Sequence, residues 1–299
     1  MTTRTTPAAS AGTWRLGDLT VNRIGFGAMR LTGRAAFTSD ASVNRERSIG
    51  VLRDAVELGV NHIDTAAFYF SPRLSANELI NRALSPYPDD LVITTKVWPG
   101  RDPSGDWWWA SPAQLRGQVE ENLRQLGRDH LDVVNLRVPV SGRTDSIAEH
   151  FGALADLRQA GLIRHLGVSN VTAAQLAEAR AVAPVVCVQN AFGVGAAAGE
   201  RELLRECGEQ GIAYVPFFAI AGAGREAGAG GDDDEAVLAV ARERDVTPAQ
   251  VRLAWTLAQG PNVLAIPGTG DPAHLAENVA AGALRLSGEE MTRLAAIGG

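Results

Sequence analysis

The chain alternates between short runs of apolar, often β-branched residues and longer segments whose apolar positions recur at helical spacing. Eight of the short runs have the length and composition of strands. Predicted helices follow them, and this alternation is typical of a parallel sheet covered by helices. The predicted strands are Ile24–Ala28, His62–Asp64, Val92–Lys96, Leu131–Leu136, Ile163–Ser169, Val185–Asn190, Ile212–Phe217 and Val263–Pro267.

Several predicted helices begin or end at a residue with a clear local reason. Ser111-Pro112 and Thr247-Pro248 each pair an N-cap residue with a proline in the first turn. Gly161 and Gly211 end helices just before a strand, where a left-handed residue is favoured. The predicted helices are Ser42–Leu58, Ala76–Leu84, Pro112–Leu126, Ser146–Gln159, Ala173–Ala181, Glu200–Gln210, Glu235–Arg244, Pro248–Leu257, Pro272–Ala281 and Ser287–Ala296.

This pattern predicts the α/β class and a single (β/α)8 TIM barrel over residues 13–299. Strands such as Val185-Val-Cys-Val are apolar on both faces, as a sheet buried under helices requires. Eight strand–helix units close a barrel more readily than they extend an open sheet. The alternative is an open doubly wound sheet, which is disfavoured because no G-x-G-x-x-G follows the first strand.

The N-terminal region predicts a short tail and a β-hairpin ahead of the barrel. Residues 1–12 are small and polar, and we expect a disordered tail there. After it, two apolar-alternating segments, Trp14–Leu16 and Val21–Ile24, flank a turn at Gly17-Asp18.

Composition narrows the class of protein. The 299 residues are 45% hydrophobic, which suffices for a large core, and the net charge of −6 with no basic stripe argues against a nucleic-acid partner. No apolar run reaches the ~18 residues of a membrane span, and no apolar leader is present. The two cysteines, Cys187 and Cys207, fall in buried elements without metal-ligand spacing. We therefore expect a cytoplasmic protein without a metal; the oligomeric state stays open.

Candidate chemistry lies at the carboxyl ends of the predicted strands, where barrel active sites are built. The second strand ends in Asp64, Tyr69 follows shortly after, and the third strand ends in Lys96. A lysine beside a tyrosine stabilises the phenolate and can lower the phenol pKa by roughly 1–3 units, while the aspartate balances the lysine. This set predicts a proton-transfer unit. The alternatives are a solvated lysine and a carboxylate that only caps a turn.

Two further segments on the same face attract attention. Trp107-Trp108-Trp109 lies in a predicted long loop, Pro99–Ala110, and together with Phe68 and Trp98 predicts the wall of a substrate pocket. Loop packing or a subunit contact is the alternative. The low-complexity stretch Gly222–Glu235 is either a flexible surface loop or a mobile lid.

The spacing of these residues resembles that of the aldo-keto reductase family. The resemblance covers the chain from about Trp14 to Leu294. Within the family, the pattern is similar to the bacterial pyridoxal reductase (pyridoxine 4-dehydrogenase) branch. The motifs that carry it are Asp64-Thr-Ala-x-x-Tyr69, Lys96 in Thr94-Thr-Lys-Val, Gly167-Val-Ser-Asn170, Val188-Gln-Asn190 and Ile266-Pro-Gly-Thr269.

The resemblance implies NADP(H)-dependent reduction of an aldehyde or ketone to an alcohol. Tyr69 would be the general acid, tuned by Lys96 and Asp64. Ser169, Asn170 and Gln189 would hold the nicotinamide carboxamide, and Phe217 would stack on the ring. The segment from Gly268 to Asn278 would bind the adenosine 2′-phosphate and adenine. The cofactor-binding residues implied in this way are Gly27, Ala28, Met29, Ser169, Asn170, Gln189, Phe217, Phe218, Ile220, Gly268, Thr269, His274, Glu277 and Asn278.

The sequence departs from the family pattern at two places. Arg137 stands where the family usually has a histidine. We expect it to donate hydrogen bonds to the substrate oxygen and to favour the phenolate; the alternative is that it pairs with a carboxylate outside the site. Gly268 and His274 stand where many members carry cations for the 2′-phosphate. Asp271 adds a negative charge there, unless it serves as a helix N-cap.

The substrate that the branch resemblance implies is a small carbonyl compound, such as a pyridoxal-like aromatic aldehyde. Two alternatives remain open: a xenobiotic or biosynthetic ketone reductase with the same machinery, and a non-catalytic NADP-binding regulatory protein like the potassium-channel β subunits. Because Asp64, Tyr69 and Lys96 are all present, an enzyme is favoured.

Overall fold

A computed structural model describes residues 7–33, 44–142, 145–220 and 234–297. The chain opens with an antiparallel hairpin of β1 (Thr13–Leu16) and β2 (Leu19–Asn22), as predicted. The strands that follow are β3 (Phe26–Gly27), β4 (His62–Asp64), β5 (Val92–Val97), β6 (Pro99–Arg101), β7 (Trp107–Trp109), β8 (Leu131–Arg137), β9 (Ile163–Ser169), β10 (Val185–Gln189) and β11 (Ala213–Tyr214).

Seven of these strands form one parallel sheet in the order β11-β10-β9-β8-β5-β4-β3. Two parallel bridges join its ends, Ile24 to Ala265 and Tyr214 to Val263. The segment around residues 263–265 therefore occupies the position of the eighth strand and closes the ring. The sheet is the inner wall of a (β/α)8 barrel. The predicted strand Val263–Pro267 is present as isolated bridges, since its backbone bonds alternate between two neighbours.

Arg23, which lies near the N-terminal end of the chain, stabilises the closed ring. Its guanidinium donates to the carbonyl oxygens of Leu257, Gly260 and Val263 at 2.5, 2.6 and 3.1 Å. The partners lie 234–240 residues further along the chain. One half-buried cation thus binds several carbonyl groups at the end of a helix and in the segment that follows it.

Helices surround the sheet and mostly agree with the predicted ones. The predicted caps at Ser111 and Thr247 are confirmed as capping boxes with Gln114 and Gln250. The helices are α1 (Arg45–Glu57), α2 (Ala76–Leu84), α3 (Leu115–Leu126), α4 (Ala148–Gln159), α5 (Ala173–Val182), α6 (Ala198–Glu209), α7 (Glu235–Arg244), α8 (Pro248–Leu257), α9 (Pro272–Ala280) and α10 (Gly288–Ala295).

The structure corrects two predicted segments. The tail expected to be disordered over residues 1–12 is ordered from Pro7, because Pro7–Ala11 forms a 3-10 helix with Ala8 fully buried. The predicted loop Pro99–Ala110 is a hairpin of β6 and β7, in which Gly100 pairs with Trp108. The run of aromatic residues favours extended backbone, and the absence of a side chain at Gly100 leaves room for the Trp108 ring.

Within the described ranges, no helix has the length and apolarity needed to cross a membrane. The predicted loop or lid Gly222–Glu235 lies almost wholly outside the described residues, which resume at Asp234 just before α7. The carboxyl end of the sheet is the part of the fold that matters for function. The parallel strands that point toward it are β3, β4, β5, β8, β9 and β10.

Candidate active site

A cavity of about 660 Å³ opens at the carboxyl end of the barrel. Its volume is in the range that holds a cofactor or a drug-sized ligand. All four residues predicted to be catalytic line it. The lining residues are Gly27, Met29, Arg30, Asp64, Phe68, Tyr69, Lys96, Pro99, Trp107, Trp109, Arg137, Val138, Pro139, Val140, Gln189, Pro216, Phe217, Phe218, Ala219, Ile220, Ile266, Pro267 and Gly268.

Lys96 and Asp64 form a buried ion pair at the base of the cavity. Lys96 Nζ lies 2.6 Å from Asp64 Oδ1 and also donates to the carbonyl oxygen of Thr65 at 3.0 Å. Both side chains are only 4% exposed. Burial alone would lower the pKa of Lys96, but Asp64 and Tyr69 raise it above its usual value, so the ammonium stays charged at neutral pH.

Tyr69 lies beside this pair, with Lys96 Nζ 4.9 Å from the centre of its ring. Burial raises the pKa of Tyr69 above its usual value, and the nearby Asp64 adds to the rise. Lys96 and Arg137 oppose it, and Lys96 also hydrogen-bonds the phenol, without reversing the direction. The prediction of a lowered phenol pKa is therefore wrong for this cofactor-free chain, because desolvation outweighs both cations. Tyr69 is a neutral proton donor throughout the neutral pH range.

Gln189, at the end of β10, is held against the same carboxylate. Its Nε2 donates to Asp64 Oδ2 at 2.7 Å. Its Oε1 is buried and has no hydrogen-bond partner among the described residues. A buried amide oxygen without a partner is costly, so this atom is suited to accept from a ligand amide inside the cavity.

Arg137, at the end of β8, turns into the cavity. Its Nη1 donates to Ser169 Oγ at 3.0 Å, and its Cζ lies 4.5 Å from the centre of the Phe217 ring. Ser169 Oγ in turn donates to the backbone oxygen of Gln189 at 2.8 Å. The alternative in which Arg137 turns away from the site is thus not the observed arrangement. The guanidinium occupies the space between a hydroxyl group and an aromatic face.

Of the three residues predicted to hold the nicotinamide carboxamide, one lines the cavity and two do not. Gln189 lines it, whereas Ser169 and Asn170 do not appear among its lining residues. Ser169 is fully buried beneath Arg137, and Asn170 donates from Nδ2 to the carbonyl oxygen of Val138 at 2.8 Å. Arginine at position 137 covers the serine that a shorter side chain would leave open.

At the end of the site that is predicted to bind the adenosine of the cofactor, the structure adds a cation that the local sequence motif lacks. Asp271 caps α9 by accepting from the backbone of Ala273 and His274, which confirms the helix N-cap. The same carboxylate pairs with Arg47 of α1, at 2.5 Å. Arg47 therefore brings a positive charge to the beginning of α9, where the helix dipole also favours an anion.

Gly268 is needed as a glycine in this barrel. A Cβ atom there would lie 2.5 Å from the carbonyl oxygen of Gly27, so no cationic side chain fits at this position without moving the backbone. Arg30 packs next to it, with Cγ 3.7 Å from that Cβ position, and lines the cavity. Arg30 and Arg47 thus bring positively charged side chains to the region of Gly268 and Asp271.

The other residues predicted to bind the cofactor fall into two groups, those that line the cavity and those that do not. Gly27, Met29, Phe217, Phe218 and Ile220 line the cavity. The others lie outside its lining: Ala28 and Asn278 are buried, Thr269 accepts from the backbone nitrogen of Asp271, Glu277 is half-buried and His274 is exposed.

The predicted aromatic wall is present in part. Phe68 and Trp107 meet edge to face at 5.5 Å between ring centres, and both line the cavity together with Trp109. Trp108 points to the opposite face of the hairpin, over Gly100, because side chains alternate along a strand. Trp98 stacks on His150 at 4.0 Å and is also held by Gln118 through its backbone. Trp98 and Trp108 therefore support the hairpin from outside the cavity.

Sequence reasoning missed Arg30 and Arg47. Arg30 directly follows the predicted cofactor segment Gly27–Met29, so extending that segment by one residue would have included it. Arg47 carried no such signal, since its partner Asp271 lies 224 residues away.

Comparison with known proteins shows the family of the chain. The sequence profile of the aldo/keto reductase family matches residues 23–298. Pyridoxine 4-dehydrogenase of Escherichia coli (strain K12) is 45% identical over 95% of this chain and 98% of its own length. A crystal structure of a thermostable aldo-keto reductase with the inhibitor epalrestat is 30% identical and superposes with a TM-score of 0.79 over 95% of this chain and 99% of that one.

A further solved structure is an aldo-keto reductase from Klebsiella pneumoniae in complex with NADPH. It is 28% identical and has a TM-score of 0.77, covering 94% of this chain and 93% of its own. Because the family profile spans nearly the whole sequence, and the E. coli relative is 45% identical over 95% of this chain, the chain belongs to the aldo/keto reductase family.

Proposed function

We propose that the protein reduces an aldehyde or ketone to an alcohol with NADPH, and that pyridoxal-like aromatic aldehydes are among its substrates. The observation that carries the reaction is the buried Lys96–Asp64 pair against a neutral Tyr69 at the base of the cavity. The similarity to the E. coli pyridoxine 4-dehydrogenase supports the substrate class.

The residues fit the cofactor in both its halves. Gln189 Oε1 is a buried acceptor without a partner among the described residues, and a carboxamide NH₂ group would satisfy it. Phe217 offers a ring on the cavity wall. Arg47 and Arg30 would hold the 2′-phosphate and neighbouring phosphate groups at the beginning of α9. The Klebsiella relative that was crystallised with NADPH supports the same cofactor.

When bound, the cofactor supplies a hydride to the carbonyl carbon. The protein supplies the proton. Tyr69 donates it from its hydroxyl group to the carbonyl oxygen, and the phenolate that remains is stabilised by the ammonium of Lys96 and the guanidinium of Arg137. Asp64 keeps Lys96 in place and charged. In the reverse direction Tyr69 accepts the proton from the alcohol.

The walls of the cavity suit a flat, apolar substrate. Phe68, Trp107 and Trp109 contribute aromatic surface at the mouth, and Val140 adds an aliphatic group that is 79% exposed. Aromatic side chains bind flat rings by stacking and edge contacts. A small aliphatic aldehyde would leave most of this surface wet, which favours aromatic aldehydes.

The function is tested by following NADPH absorbance with pyridoxal, benzaldehyde and propanal, for the parent and for Tyr69→Phe. We expect turnover of the aromatic aldehydes, a higher kcat/KM for pyridoxal than for propanal, and a loss of about 10²- to 10⁴-fold in Tyr69→Phe. NADPH binding, measured by fluorescence titration, should stay the same in the variant. NADPH binding without turnover of any carbonyl would support the non-catalytic alternative instead.

A further inference from the structure

Arg137 holds its positively charged guanidinium against two groups that, in the proposed function, surround the nicotinamide. Nη1 contacts Ser169 Oγ at 3.0 Å, and the guanidinium lies 4.5 Å above the ring of Phe217. Phe217 and Gln189, whose carbonyl oxygen accepts from Ser169, both belong to the cavity wall. A nicotinamide that stacks on the other face of Phe217 would therefore have this guanidinium across the ring, about 8 Å away.

The charge of this neighbour does not change in the working range of pH. An arginine side chain keeps its proton, whereas a histidine in the same place would be neutral for much of that range. Arg137 also lowers the pKa of Tyr69, against the larger effect of burial, which places its charge within electrostatic reach of the phenol.

The two forms of the cofactor differ in charge at one point only. The oxidised nicotinamide is a cationic pyridinium ring, and the reduced ring is a neutral dihydropyridine. The ribose, phosphate and adenine groups are the same in both forms. A cation that lies beside the nicotinamide repels the oxidised ring and leaves the reduced ring unaffected, while a cation at the adenosine end treats both forms alike.

We propose that Arg137 makes the cofactor site selective for the reduced form, an inference that rests on the proposed function. The guanidinium weakens binding of NADP⁺ relative to NADPH, so the spent cofactor is released faster and carbonyl reduction is favoured over alcohol oxidation. For unit charges about 8 Å apart in a partly hydrated site, the expected contribution to the ratio of the two dissociation constants is about 2- to 30-fold.

The test is a set of equilibrium titrations of NADPH and NADP⁺ followed by protein and cofactor fluorescence. Arg137→Met should reduce the ratio of Kd for NADP⁺ to Kd for NADPH by about 2- to 30-fold, mainly by tightening NADP⁺. Arg137→Gln, which can still hydrogen-bond Ser169, should give the same result if Arg137→Met folds poorly. Arg137→Lys keeps the charge and should keep most of the ratio.

Arg47→Met is the matched control, because Arg47 is paired with Asp271 at the other end of the proposed cofactor site. It should weaken NADPH and NADP⁺ by the same factor and leave their ratio unchanged. A ratio in Arg137→Met and Arg137→Gln equal to that of the parent would overturn the inference while leaving the proposed function intact. If the parent binds neither form of the cofactor, the proposed function fails as well.

Discussion

Gln189 donates from Nε2 to Asp64 Oδ2 at 2.7 Å, across 125 residues of sequence. The other oxygen of Asp64 accepts from Lys96. A single carboxylate thus fixes both the cation next to Tyr69 and the amide whose buried Oε1 has no partner among the described residues. In the proposed function, proton donation and cofactor recognition would be joined at one buried group.

Gln189→Leu tests this connection. The substitution removes the donor to Asp64 Oδ2 and the proposed acceptor for the cofactor. We expect a loss of roughly 1–3 kcal/mol in the free energy of unfolding and at least a several-fold weaker NADPH affinity. Urea denaturation and fluorescence titration measure the two effects. Gln259→Leu is the control, because Gln259 donates to the carbonyl oxygen of Trp255, a residue that does not line the cavity, and should affect stability alone.

The raised pKa of Tyr69 predicts when its phenol ionises. When no cofactor is bound, Tyr69 should be less than half ionised at pH ~10, the usual pKa of tyrosine. The chain has only three tyrosines, so the difference in ultraviolet absorbance between the parent and Tyr69→Phe isolates this residue. Tyr87→Phe serves as a reference, since burial raises the pKa of Tyr87 to about 12.

The same shift has a consequence for stability at alkaline pH. A group whose folded pKa lies above its unfolded value stabilises the folded state below the unfolded pKa, and this contribution is lost as pH rises through the folded pKa. Unfolding free energy should therefore fall above pH ~10 in the parent and fall less steeply in Tyr69→Phe. A Tyr69 signal that titrates near pH 8 would contradict the assignment of burial as the dominant influence.

The pair of Arg47 and Asp271 predicts how the cofactor phosphate is recognised. Arg47→Leu should lower the preference for NADPH over NADH by about tenfold, because one charge-assisted contact to the 2′-phosphate is lost. Asp271→Asn should raise the preference, since asparagine still caps α9 but no longer competes for Arg47. Titration of both variants with both cofactors decides the matter. Identical preferences in the two variants and the parent would remove Arg47 from the site.

The β6–β7 hairpin contains its own control for substrate recognition. Trp107 and Trp109 line the cavity, and Trp108 faces away from it. Trp109→Ala should lower kcat/KM for pyridoxal about 5- to 50-fold, with little effect on propanal. Trp108→Ala removes an equally large side chain from the same strand and should leave the ratio of the two substrates unchanged. An equal effect of both variants on that ratio would mean that the hairpin acts only through its overall folding.

Much of the barrel could be predicted because its periodicity is local. β8 and β9 are runs of β-branched and apolar residues. The capping residues of α8 and of the 3-10 turn that leads into α3 stand next to prolines. The hairpin at Trp107–Trp109 was missed, since proline, glycine and serine around it are typical of a loop and its pairing depends on a glycine opposite Trp108.

The candidate site also has features that could be predicted from the sequence and features that could not. Asp64 and Lys96 stand at the ends of strands and Tyr69 follows the first of them, so their spacing predicts a proton-transfer unit, and the resemblance to the family implies the role of each residue. The direction of the Tyr69 pKa could not be predicted, because it depends on how far the folded chain excludes water from the phenol. The contact of Arg137 with Ser169 and Phe217 also depends on side-chain conformation, which spacing does not specify.

Arg23 has a consequence for biosynthesis. Its guanidinium binds carbonyl groups of Leu257, Gly260 and Val263, and the bridge from Ile24 to Ala265 lies next to it. These partners leave the ribosome long after Arg23 does, so the nascent barrel keeps an open edge until nearly nine-tenths of the chain has been made. Such late, long-range pairing slows folding and exposes strand edges to aggregation. The cavity forms only when this last stretch arrives, so the cofactor has no complete site to bind during translation.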